Sequence, residues 1–127
     1  MTKQGLGRHV LGRLSTHVLN TAAGKPAEGV PWALYRINGD TREGLASGVT
    51  NHDGRTDPPL LEGDAVVAGT YELVFEVADY FQNQGVVLSA PPFLNTIPLR
   101  FSIFDAAQNY HVPLLVSPYS YSTYRGS

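Results

Sequence analysis

Tyr71-Glu72-Leu73-Val74-Phe75-Glu76-Val77 is the stretch that decides the fold. Tyr71, Leu73, Phe75 and Val77 fall on one face of an extended chain, and Glu72 and Glu76 fall on the other. A period of two belongs to a half-buried strand, because successive side chains point to opposite sides of a pleated backbone. Outward from this stretch the pattern repeats in weaker form: short apolar runs separated by Gly, Pro, Asn and Asp. That is the signature of an all-β sandwich.

The runs place strands at Leu14–Leu19, Val30–Ile37, Gly48–Thr50, Tyr71–Val77, Pro98–Phe104, Tyr110–Ser117 and Tyr119–Tyr124, with a short one near Leu60 or Ala65. Asp53-Gly54 signals a tight turn. Ala78–Gln84 breaks the alternation and is the one place for a short helix. There is no repeat and no linker. The chain divides into an N-terminal extension, residues 1–12, expected to be loose, and a single domain over residues 13–127.

Composition sets the limits. A chain of 127 residues, 43% hydrophobic and 16% charged, is one globular domain. A net charge of −2 argues against nucleic acid or an anionic membrane as partner. With no cysteine, disulfides and thiolate chemistry are out of reach. No apolar run approaches the ~18 residues of a membrane span, and no secretory leader is visible. The expected compartment is the cytoplasm.

Strand parity says more. Within Tyr110–Ser117, Val112, Leu114 and Val116 share the core face, while His111, Pro113, Leu115 and Ser117 share the other. Leu115 makes that outer face too apolar for open water, so pairing with another copy of the chain is expected. Of the four histidines, His9 and His52 lie in the N-terminal stretch and at a turn, whereas His17 and His111 lie inside strands. Ser15 shares a face with His17, and Arg55 follows the Asp53-Gly54 turn. The final Tyr124-Arg125-Gly126-Ser127 follows an apolar and aromatic run, which predicts an ordered end. It would hold an arginine, a hydroxyl and a carboxylate at one point.

Two strand histidines without a third ligand at zinc-like spacing make a poor metal site. Asn51–Glu62 has Leu60 where a calcium loop needs a bidentate glutamate. Neither a phosphate loop nor a nucleophile elbow is present. The chemistry left is hydrolysis by an activated water, with histidine as base and arginine stabilising negative charge. No metal and no cofactor are expected.

Four blocks carry a resemblance: Leu14-Ser15-Thr16-His17-Val18-Leu19, Asn51-His52-Asp53-Gly54-Arg55, Tyr110-His111-Val112-Pro113-Leu114-Leu115, and Tyr121-Ser122-Thr123-Tyr124-Arg125-Gly126-Ser127. In this order they resemble the 5-hydroxyisourate hydrolases, the transthyretin-like enzymes of urate breakdown. The resemblance implies a transthyretin-like two-sheet sandwich of about eight strands, assembled as a homotetramer with active sites between dimers. It implies catalytic roles for His17, Arg55, His111 and Ser127, and substrate binding by Tyr124, Arg125 and Gly126. Asn20 and Asn95 stand where many members have aspartate, outside the catalytic set. The implied reaction opens the six-membered ring of 5-hydroxyisourate by attack of water; His17 is the favoured base and His111 a substrate-positioning group or proton donor, although the sequence alone does not separate the two roles. The alternative is a transthyretin-like carrier that binds a small aromatic ligand in the same channel. An extension fused after Ser127 is expected to lower activity more than one fused at Met1. Equal rates for the two tagged forms would reduce the tail to a strand end.

Overall fold

The computed structural model describes residues 12–127, so the expectation of a loose extension concerns residues outside the described part, His9 among them. Gly12 already belongs to the fold: it is buried, donates its N–H to the Ala106 carbonyl at 2.9 Å and accepts from Gly63 N–H at 3.1 Å.

Eleven strands are described: β1 (Arg13–Ser15), β2 (Val18–Asn20), β3 (Lys25–Pro26), β4 (Pro31–Asn38), β5 (Thr41–Val49), β6 (Leu61–Glu62), β7 (Gly69–Glu76), β8 (Thr96–Ile103), β9 (Tyr110–His111), β10 (Leu114–Ser117) and β11 (Ser120–Ser122). One helix, α1 (Val77–Asn83), follows β7. The strands order as β5-β4-β7-β8, β6-β1-β9 and β11-β10-β2-β3. The last two ladders are halves of one layer, because β1 leads into β2 and β9 into β10. Two layers therefore face each other, as the alternation predicts.

The core lies between them. Tyr71, Leu73, Phe75 and Ile97 from the continuous sheet are sealed against Leu14, Val18, Leu114 and Val116 from the broken one, each no more than 1% exposed. Tyr80 and Phe81 of α1 close one end of it. The helix starts one residue earlier than the alternation suggests. Val77 turns into the helix while staying buried, and the Asn95 carbonyl accepts from the N–H groups of Val77 and Ala78. Asn20 is buried and donates to the Tyr80 hydroxyl at 3.0 Å.

Three sequence expectations change. Leu14–Leu19 and Tyr110–Ser117 are each two strands, interrupted at Thr16–His17 and Val112–Pro113. Gly48–Thr50 is only the end of β5, which pairs with β4 along its whole length. Thr41–Val49 is largely exposed and carries no apolar alternation, so its register comes from β4 and not from burial. The run Tyr119–Tyr124 contracts to β11.

Tyr110 ties the β8–β9 connection together. Its hydroxyl accepts from the N–H groups of Phe104 (3.3 Å) and Asp105 (2.9 Å) and donates to the Asp105 carbonyl (3.1 Å). Tyr110→Phe keeps the ring and removes all three bonds, at a cost of about 1–3 kcal/mol. Chemical denaturation should show the lower midpoint; an unchanged midpoint would mean that the hydroxyl contributes nothing.

Candidate active site

The site begins where the second layer breaks. Pro113 has no N–H to give to a ladder, so β9 cannot run straight into β10. The two halves nonetheless keep step with their neighbours: Val112 N–H donates to the Ser15 carbonyl and Leu114 N–H to the His17 carbonyl, each at 2.9 Å. Inside the break, the buried Thr16 hydroxyl donates to the Val112 carbonyl at 2.7 Å. Leu14, Thr16 and Val18 point inward, so Ser15 and His17 point outward. In the parallel pairing of β1 with β9, Ser15 stands opposite His111, and its Oγ lies 2.9 Å from His111 Nδ1.

The turn Asn51–Arg55 is bound to this outer face. Asn51 folds it: its side-chain oxygen accepts from the N–H groups of Asp53 (2.9 Å) and Arg55 (3.1 Å), and its amide donates to Asp57 (2.9 Å). Gly54 sits at φ +77°, and its carbonyl accepts from Val18 N–H at 2.7 Å. A Cβ at this position would come within 2.3 Å of the Val18 carbonyl oxygen, so only glycine lets the turn lie so close. His17 Nε2 is 2.8 Å from the Asp53 carbonyl. A carbonyl can only accept, so Nε2 carries the proton and Nδ1 keeps the lone pair in the neutral ring.

The tail closes the other side. His111 N–H donates to the Gly126 carbonyl (3.1 Å), and Gly126 N–H donates back to the His111 carbonyl (2.7 Å). A Cβ on Gly126 would sit 3.1 Å from His111 Cβ, closer than ordinary van der Waals contact, so the histidine side chain would have to give way. Thr123 donates to the Pro113 carbonyl at 2.7 Å. Arg125 donates to Gln108 (2.8 Å) and the Asn109 carbonyl (3.1 Å), with its guanidinium 4.6 Å above the Tyr110 ring.

The residues singled out from sequence are divided by this geometry. Arg55, His111 and Ser127 line one cleft of about 530 Å³, together with Arg13, Ser15 and Asp57. His17 lies beside it, held by the turn that carries Arg55. Gly126 pairs with His111. Tyr124 and Arg125 line a separate cleft of about 450 Å³ with Arg100, Phe101 and Tyr121. Ser15 and Asn51 had no assigned role in the sequence reading. The shared face of Ser15 and His17 was the available signal for the first; an asparagine opening an Asx-type turn was the signal for the second.

Both histidines are held below the ordinary imidazole range. Partial burial is the largest cause for His17, and the charge of Arg55 is the next; the Asp53 carbonyl and carboxylate pull the other way. Burial also leads for His111, followed by Arg55 and then His17. Two neutral imidazoles beside a permanent cation can accept a proton from water and stabilise an oxyanion.

The fold and these groups define a two-layer β-sandwich with a histidine–arginine cluster at the broken edge of one layer. The chain belongs to the HIUase/transthyretin family, whose sequence pattern matches residues 14–126. It is 59% identical over 116 residues to 5-hydroxyisourate hydrolase 2 of Rhizobium meliloti (strain 1021), covering 91% of this chain and 97% of that one. Among solved structures, it superposes on Klebsiella pneumoniae 5-hydroxyisourate hydrolase with a TM-score of 0.72 at 35% identity (91% of this chain, 94% of the other). Sea bream transthyretin in complex with thyroxine gives a TM-score of 0.79 at 28% identity (90% and 94%).

Because the folded-state values lie below the free value of ~6.5, the folded protein resists protonation, and the histidines' effect on stability is unfavourable below that pH and absent above it. The base form therefore persists through pH 7, and the acid limb of activity should fall below ~6.5. In Arg55→Gln the second cause is gone while burial remains. Histidine titrations followed by NMR should move up for both rings. Values that do not move would remove Arg55 from the electrostatics of the site.

Proposed function

We propose that the protein hydrolyses 5-hydroxyisourate, the substrate for which its relatives are named, to 2-oxo-4-hydroxy-4-carboxy-5-ureidoimidazoline. The observation that carries the reading is that three separate segments bring Arg55 and His111 into one cleft, with His17 bound to the turn that carries Arg55. Water attacks the six-membered-ring carbonyl, and His17 Nδ1 takes its proton. Arg55 stabilises the oxyanion. The C6–N1 bond then breaks as the oxyanion collapses, the proton returns from His17 to the departing nitrogen, and the resulting carboxylic acid releases water's second proton to solvent to become a carboxylate. One water is consumed and no redox partner is needed. A positioned base of this kind contributes about 10²–10⁴ in rate.

The carrier reading draws on the likeness to sea bream transthyretin, while the more similar relatives are named hydrolases. A carrier has no use for two depressed histidines facing an arginine, which favours the enzyme. His111 and Ser127 complete the catalytic set, with Tyr124, Arg125 and Gly126 as substrate-side residues. For Tyr124 and Arg125 this requires a second subunit, because within one protomer they face a different cleft. A homotetramer is the assembly we propose, supported by the half-buried Leu115 on the outer face and by exposed Phe93, Tyr119 and Tyr121. Residues 13–127 form the hydrolase domain. Among the described residues no helix is long and apolar enough to cross a membrane, and we place the activity in the cytoplasm, where a chain without cysteine suits reducing conditions.

The test generates 5-hydroxyisourate from urate and follows its ultraviolet decay. The protein at micromolar concentration should accelerate that decay, and His17→Asn should lose about 10²-fold or more of the acceleration. Decay at the spontaneous rate would leave the carrier reading in its place.

A further inference from the structure

The hydroxyl of Ser15 has one hydrogen bond among the described residues, and its partner is a ring nitrogen of His111 at 2.9 Å. The contact joins Cα partners across the parallel β1–β9 pairing, and a tail bonded to the His111 backbone on both its N–H and its carbonyl braces it from the other side. The two histidines are thus gripped at opposite nitrogens: His17 by Nε2 and His111 by Nδ1. Among the described residues, His17 Nδ1 and His111 Nε2 have no hydrogen-bond partner.

We propose that Ser15 is a positioning residue that donates its proton to His111 Nδ1 and so holds that ring in the neutral tautomer with hydrogen on Nε2. The inference rests on the hydrolase reading and deepens it. A serine with a single partner uses its only proton when it donates. In the reverse arrangement that proton would have no acceptor among the described residues. With Nε2–H turned to the cleft, His111 is a neutral hydrogen-bond donor to the substrate carbonyl oxygen. It shares the developing negative charge with Arg55, while His17 alone carries the proton. One ring accepts and the other donates, and no proton leaves His111 during the cycle. A neutral imidazole suits this task, because an imidazolium would be a second cation beside Arg55.

The tautomer is read directly by 15N NMR of the ligand-free, full-length protein at a pH where the rings are neutral. His111 should show a protonated Nε2 and a bare Nδ1. Ser15→Ala should mix the tautomers and lower kcat by about tenfold or more, short of the ~10²–10³ lost on deleting an oxyanion donor outright. KM should change much less. Ser15→Thr should restore both the spectrum and the rate. A hydroxyl that merely fills space would alter the melting temperature and leave tautomer and kcat where they were, and that result overturns the proposal. A wild-type His111 with hydrogen on Nδ1 overturns it as well, and needs no variant to fold. Because the spectrum is recorded without substrate, it stands apart from the hydrolase assay. Absence of turnover by the wild-type protein would refute the reaction and leave the tautomer assignment to be decided by NMR.

Discussion

The parallel pairing of β1 and β2 with β9 and β10, broken at Pro113 yet kept in register, is the constraint on which the site depends. Two long-range strands meet there, and each supplies one histidine. An unbroken ladder would have been a smooth sheet face. The break instead leaves room for Thr16 to bond the Val112 carbonyl from inside, while Ser15, His17 and His111 are pushed to the outer side. Everything else is attached to this edge. The Asn51–Arg55 turn is held by Val18 and His17, and the tail by the backbone of His111. A side chain added at Gly54 or Gly126 would meet the backbone or the histidine it leans on, so these two glycines mark how closely the pieces approach.

The electrostatics follow a logic opposite to that of a serine-protease triad. There a buried aspartate orients the histidine and stabilises its cation. Here His17 is oriented by a neutral backbone carbonyl and His111 by a hydroxyl, with an arginine as the charged neighbour. Burial and Arg55 both work against imidazolium. The carboxylate of Asp53 opposes this at His17, but it ranks below both of those causes. The arrangement keeps two rings neutral at pH 7 and reserves positive charge for the place where an oxyanion would form.

How much of this could be read from the chain depended on which force wrote each feature. Burial writes a period, so Tyr71–Val77 announced its strand and Val112, Leu114 and Val116 announced their face. Parity then turned His111 outward correctly. Edge pairing writes no period: Thr41–Val49 buries little and takes its register from β4, so most of it passed unread. The breaks at Thr16–His17 and Val112–Pro113 were hidden because both halves of each strand keep the same inward face. Pro113 was the available clue. Ser15 and Asn51 act through hydrogen bonds to residues far away in sequence, and no local pattern encodes a partner 96 positions distant, as His111 is from Ser15.

The positions of Tyr124 and Arg125 carry the argument from the protomer to the assembly. Arg125 is anchored within its own chain through one guanidinium nitrogen, on Gln108 and the Asn109 carbonyl, and by the face of Tyr110. That anchorage fixes the backbone just before Gly126, and Gly126 in turn pairs with His111. The terminal segment thus serves the histidine first through its main chain. Its side chains face a second cleft between β8 and β11, two strands that each have one edge unpaired among the described residues. Unpaired edges invite further strands. In the proposed homotetramer the side that binds partners and the side that holds the histidines are therefore two faces of one short segment. A substitution that loosens the tail would disturb assembly and chemistry together.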